Sequence, residues 1–210
     1  MNKNADRLYV ALLALLRSGL WERDIDDYSV FPLSDNEWEQ IFSISIQQTV
    51  SGIVYQGLQY LPEEFSPPLT LLIRWTAVAD AIERRNEEVN RALKELNTLF
   101  RSKGIDPILQ KGQGVAQLYA KPTLRECGDI DFCFKTQRDM NIAAECISRR
   151  NIGIESMPDE SSLYMWRDVE VEHHSHLLDL HNPFLRSYAD ELERKYGYDV
   201  VNISSNEDIQ

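Results

Sequence analysis

The segment Arg125-Glu126-Cys127-Gly128-Asp129-Ile130-Asp131-Phe132 holds the residues best placed to do chemistry. Alternate side chains of a strand share a face, so Asp129 and Asp131 project together while Ile130, Phe132 and Phe134 project the other way. Two carboxylates at that spacing repel unless a cation sits between them. Hard divalent cations such as Mg²⁺ take oxygen ligands, commonly one or two carboxylates plus substrate phosphates. Gly128, just before the pair, permits close approach of backbone or ligand. An isolated Asp-x-Asp is also what a solvent-facing edge strand carries, so the pair draws its weight from the elements around it.

Those elements change in kind along the chain. Leu8, Leu12, Leu15 and Leu16 recur at helical spacing over residues 5–18. Ser34 and Glu37 form a capping box that opens a second helix, with Trp38, Ile41, Phe42, Ile46 and Val50 as its apolar stripe. Pro67-Pro68 breaks the chain, and a long helix is predicted from Leu69 to Arg101, with Gly104 as its stop. From Ile105 the pattern shortens. Residues 107–110 read as a buried strand, 111–114 as a turn, and Val115 to Tyr119 as the start of a helix. Asp129 to Phe134 follows as a strand and Gln137 to Arg149 as a helix. Four more strands are predicted at 152–157, 163–166, 169–173 and 177–181, then a helix from Leu185 to Lys195. The expected class is α+β: a helical region over 1–104, packed on a mixed-sheet core over 105–210. The polar end of the chain reads as a tail or as a truncation of a longer protein.

Composition narrows the function classes. Apolar residues make up 43% and charged residues 27%, as in globular proteins. No apolar run approaches the length of a membrane span and no signal peptide is evident, so the expectation is cytoplasmic, with no membrane partner. A net charge of -12 disfavours extended nucleic acid, whose affinity rests on Lys and Arg. Cys127, Cys133 and Cys146 are expected to be free, buried or half-buried thiols. The four tryptophans, Trp21, Trp38, Trp75 and Trp166, are expected as core or interface anchors. All four histidines fall between His173 and His181. His173 and His174 would point to opposite faces and His174 with His176 would have no Cys pair to complete a zinc site, so surface or substrate-pocket histidines are expected.

Leu109-Gln110-Lys111-Gly112, Leu118-Tyr119 and Arg125-x-x-Gly128-Asp129-Ile130-Asp131 together resemble the signature of the uncharacterised nucleotidyltransferase family of bacterial proteins, within the DNA polymerase beta-like superfamily. The resemblance covers residues 105–181, and the helical leader is similar too. It implies a nucleotidyltransferase-type mixed sheet with flanking helices, and a metal-dependent enzyme that moves an NMP from an NTP to an acceptor hydroxyl, releasing pyrophosphate. It implies Mg²⁺ or Mn²⁺ as cofactor. The acceptor stays open between a small molecule, a sugar, a protein and an RNA end. By position, Asp129 and Asp131 would be the first two metal ligands and Gly112 the phosphate turn. Lys111, Gln113 and Arg125 would lie by the nucleotide. The third acid, ligand and general base, would be Glu172, with Glu170 and then Asp179 as alternatives. Gln113 stands where the superfamily has a small residue, which removes a hydroxyl. A catalytically inactive binding or regulatory module of the same fold is therefore the alternative.

Overall fold

The computed structural model describes residues 3–158, 161–176, 182–199 and 202–203. The chain divides into two compact units, Met1–Glu87 with Leu118–Glu126, and Glu88–Gln117 with Cys127–Gln210. Seven helices and a five-stranded mixed sheet are present among the described residues, so the α+β class expected from the sequence is the one observed. No helix among them is long and apolar enough to cross a membrane.

The first unit is helical. It holds α1 (Lys3–Trp21), α2 (Asp35–Gln47), α3 (Ser51–Leu58) and the first part of α4 (Leu69–Arg101). Ser34 caps α2. Its hydroxyl accepts from the Glu37 amide at 3.4 Å, and the Glu37 carboxylate accepts from the Ser34 amide at 2.8 Å. These two bonds satisfy amides that the first helical turn leaves without partners. Trp38, Ile41 and Phe42, at i, i+3 and i+4, face a core shared with Leu12, Leu15 and Trp75. Ile46, on the expected stripe, is exposed. Helices α1 and α3 approach so closely that a Cβ on Gly57 would come within 2.1 Å of the Leu15 carbonyl oxygen. The segment 118–126 is held in this unit by polar bonds. The Asn86 amide donates to the carbonyls of Thr123 and Arg125 at 2.7 and 2.9 Å. The Glu126 carboxylate accepts from the Ser51 amide at 2.9 Å.

The second unit carries the sheet. Its strands are β1 (Ile108–Leu109), β2 (Asp129–Cys133), β3 (Glu155–Ser156), β4 (Ser162–Trp166) and β5 (Val169–His174), in the order β1-β2-β5-β4-β3. Strands β2 and β5 are parallel and the other neighbours are antiparallel. The helices are the rest of α4, the short α5 (Gln113–Ala116), α6 (Gln137–Ser148) and α7 (Pro183–Tyr196). Side-chain alternation makes the sheet two-faced. Ile130, Phe132, Phe134, Val169 and Val171 turn to a core filled by Leu96 and Phe100 of α4 and by Met140, Ala143 and Ile147 of α6. The Phe100 ring meets Phe132 and Phe134 edge-on at 5.6 and 5.8 Å, a favoured aromatic geometry.

Several expectations shift in detail. Helix α4 spans Leu69–Arg101 as predicted and stops before Gly104, which takes φ +73°. Helix α5 begins at Gln113, two residues earlier than expected, and ends at Ala116, because the chain from Leu118 joins the first unit. Of the tryptophans expected as core or interface anchors, Trp38 and Trp75 are fully buried and Trp21 is exposed. Trp166 is half-buried and its indole donates to Glu95 at 2.9 Å. The predicted strand at 177–181 lies outside the described residues.

Candidate active site

The polar face of the sheet is built by β2 and β5. Their parallel register sets Asp131 opposite Glu172 and Asp129 opposite Glu170. Neighbours in register share a face, so four carboxylates of two adjacent strands project together from a chain of net charge -12.

Asp131 is the buried member, 2% exposed. One of its oxygens, Oδ1, lies 3.2 Å from His174 Nε2, and the other, Oδ2, lies 3.2 Å from Lys111 Nζ. Lys111 Nζ also lies 3.6 Å from Asp129 Oδ2. The ammonium is within ion-pair reach of the buried Asp131 Oδ2. Burial is the largest influence on the Asp131 carboxyl and pushes it up; His174 and Lys111 together outweigh burial and hold it below the usual carboxylate range. Lys111 answers the same way. Burial pulls its ammonium down, and the facing Asp131, Asp129 and Glu172 raise it above the usual lysine value. Both groups are therefore charged at neutral pH.

His174 Nε2 also lies 3.1 Å from Glu172 Oε2. One ligand atom from each of Asp131, Glu172 and His174 falls within 4.8 Å of the others. Two carboxylate oxygens, one of them on the buried Asp131, and an imidazole nitrogen make a donor set that fits a divalent cation.

The turn after β1 completes the arrangement. Gly112 takes φ +61° and ψ -119°, a conformation open only to glycine, and a Cβ there would meet Cys127 Sγ at 3.0 Å and the Asp129 carbonyl oxygen at 3.4 Å. This glycine lets the Lys111 turn lie against the strand that carries the acids. Gln113, at the start of α5, is buried.

The structure thus brings together Lys111, Asp129, Asp131 and Glu172, with Glu170 in register beside them. Arg125 belongs to the first unit, where its guanidinium sits 5.9 Å over the Tyr119 ring. Asp179 and His181 lie outside the described residues. Sequence reasoning missed His174 as a partner of the acids; its i+2 spacing from Glu172 was the available signal. The expectation of surface or pocket histidines is corrected for His173. It is fully buried among Phe134, Tyr164 and Phe100, with Nε2 2.9 Å from the Tyr164 hydroxyl. Burial first, and His174 second, lowers its imidazole to about 3. His176 is exposed. The three cysteines are free, Cys127 half-buried and Cys133 and Cys146 buried, as expected.

A family model described as uncharacterised nucleotidyltransferase matches residues 34–207, across both the helical and the sheet-bearing parts of the chain. No curated protein and no solved structure matches the chain.

Proposed function

The chain belongs to the family of uncharacterised nucleotidyltransferases, and on that premise we propose that it moves an NMP from an NTP to an acceptor hydroxyl, releasing pyrophosphate. The observation that carries this reading is the buried Asp131 carboxylate, set in register with Glu172 and flanked by Asp129, His174 and Lys111. A site that concentrates acids beside a glycine turn suits a divalent cation and a triphosphate.

Asp129, Asp131 and Glu172 would hold Mg²⁺ or Mn²⁺; the ligand atoms of Asp131 and Glu172 converge with the His174 nitrogen, and Asp129 shares the Lys111 ammonium with Asp131. Such an ion supplies charge neutralisation at the phosphates and at the departing pyrophosphate. The chain's own groups do the rest. Gly112 lets the turn lie against Cys127 and Asp129, so that its backbone stands beside the acids where the phosphates would bind. Lys111 leaves the two aspartates and turns its ammonium to the non-bridging phosphate oxygens. Glu172, half-buried at the edge of the cluster, takes the proton of the acceptor hydroxyl. The acceptor oxygen bonds to the α-phosphorus, the bond from that phosphorus to the β-phosphate oxygen breaks, and pyrophosphate leaves with the electron pair.

A crystal structure with a nonhydrolysable NTP and Mn²⁺ tests the reading. An anomalous Mn²⁺ peak at ligand distance from Asp131 and Glu172 is expected, with the triphosphate on the Gly112 turn. Ordered nucleotide with no metal at these carboxylates contradicts it.

A further inference from the structure

A cavity of about 530 Å³ opens in the second unit, lined in part by Ile108, Cys133, Lys135, His176, Arg186 and Tyr198. Its place follows from strand register. Ile108 pairs with Cys133, so the antiparallel β1 runs from the cavity toward the other end of β2, where the Gly112 turn lies against Asp129. Cys133 is two residues past Asp131 on the same face, about 7 Å along the strand, and His176 follows His174 by the same interval. The carboxylates therefore stand between a glycine turn at one end and a cavity at the other.

In-line displacement at phosphorus puts the leaving and attacking oxygens on opposite sides. With pyrophosphate departing toward Lys111 and Gly112, the attacking hydroxyl arrives from the Cys133 end. We propose that this cavity is the acceptor subsite, and that its occupant is a small hydroxylated molecule bearing an anionic group, phosphate or carboxylate. This rests on the nucleotidyl-transfer reading and extends it to the acceptor.

The volume lies within the roughly 300–1,000 Å³ of small-molecule sites. The charge is local and unlike the rest of the chain. Lys135 and Arg186 line the cavity against one carboxylate, Glu193, which already accepts from the Tyr198 hydroxyl. The Lys135 ammonium lies 5.6 Å from the Tyr198 ring centroid, so an aromatic wall and a cation stand side by side. Two cations suit an anionic group. Cys133 forms an unreactive floor, since burial, then Glu193, pushes its thiol up to about 11.

The test measures binding of glycerol 3-phosphate, glycerate and glycerol to the full chain by calorimetry, beside a nonhydrolysable NTP with Mn²⁺. Arg186→Ala and Lys135→Ala alter exposed side chains and are expected to fold normally. At least one anionic probe is expected to bind while glycerol does not. Each variant should weaken that probe about tenfold and leave NTP affinity within about twofold. Failure of both anionic probes to bind the wild type overturns the proposal. So does selective weakening of the NTP in the variants, which would assign the cavity to the nucleotide and leave the transfer reading standing. Wild-type protein that binds the anionic probe but no NTP separates a failure of the transfer reading from a failure of the cavity as an anion site; it overturns the acceptor role.

Discussion

His173 makes the stability of the sheet unit depend on pH in a calculable way. It is fully buried among aromatic rings, and its imidazole is lowered from 6.5 to about 3, mainly by burial. The folded unit keeps this ring neutral, while the unfolded chain takes up a proton as pH falls below about 6.5. Its contribution is thus complete above pH 6.5 and is lost progressively as pH falls toward about 3. Each pH unit in that window costs about 1.4 kcal/mol, so the loss between pH 6.5 and 4.5 is about 3 kcal/mol. His173→Phe keeps a ring against Phe134, 4.7 Å away, and cannot titrate. It leaves the Tyr164 hydroxyl without its 2.9 Å partner, at a cost of about 1–3 kcal/mol at neutral pH. Urea titrations in EDTA-containing buffer, read by hydrogen exchange in peptides covering β2 and β5, report this unit alone. The wild type should be the more stable at pH 7.5, and the difference should close or reverse near pH 4.5. The carboxylates are common to both proteins, so their titration cancels to first order in the difference. Parallel stability curves for the two proteins would refute the argument.

Four further substitutions probe the construction of the site and its support. Lys111→Met removes the cation 3.2 Å from Asp131 Oδ2; Mn²⁺ should bind more tightly and NTP about tenfold more weakly by calorimetry. Gly112→Ala forces a side chain into φ +61° and to 3.0 Å from Cys127 Sγ; thermal denaturation should show a loss of about 1–3 kcal/mol, together with weaker NTP binding. Gly57→Ala sets a Cβ 2.1 Å from the Leu15 carbonyl oxygen, a backbone atom with nowhere to move; a loss of about 3 kcal/mol or more is expected in the first unit, against about 1 kcal/mol for Gly104→Ala in open space.

Local period and local chemistry carried much of the fold in the sequence. The Ser34 and Glu37 capping box, the helix from Leu69 to Arg101 and the alternation of Asp129 to Phe134 each depend on residues a few positions apart. Pairing across the chain is what a single sequence conceals. Glu172 could be ranked above Glu170 and Asp179, but its place opposite Asp131 is set by the parallel register of strands some forty residues apart. The same register brings His174 to both acids and turns His173 into the core beside Phe132. The return of Leu118–Glu126 to the helical unit was concealed for a similar reason. It rests on Asn86 donating to two carbonyls nearly forty residues away.

Coupling between metal and nucleotide at Asp131 is the central claim. Calorimetric titration of a nonhydrolysable NTP into the wild type and Asp131→Asn, each with Mn²⁺ and with EDTA, measures it directly. The account predicts tight binding to the wild type only with Mn²⁺, and its loss in the variant, whose near-isosteric amide should leave the fold intact. NTP affinity that is the same in EDTA, or the same in Asp131→Asn, would contradict it.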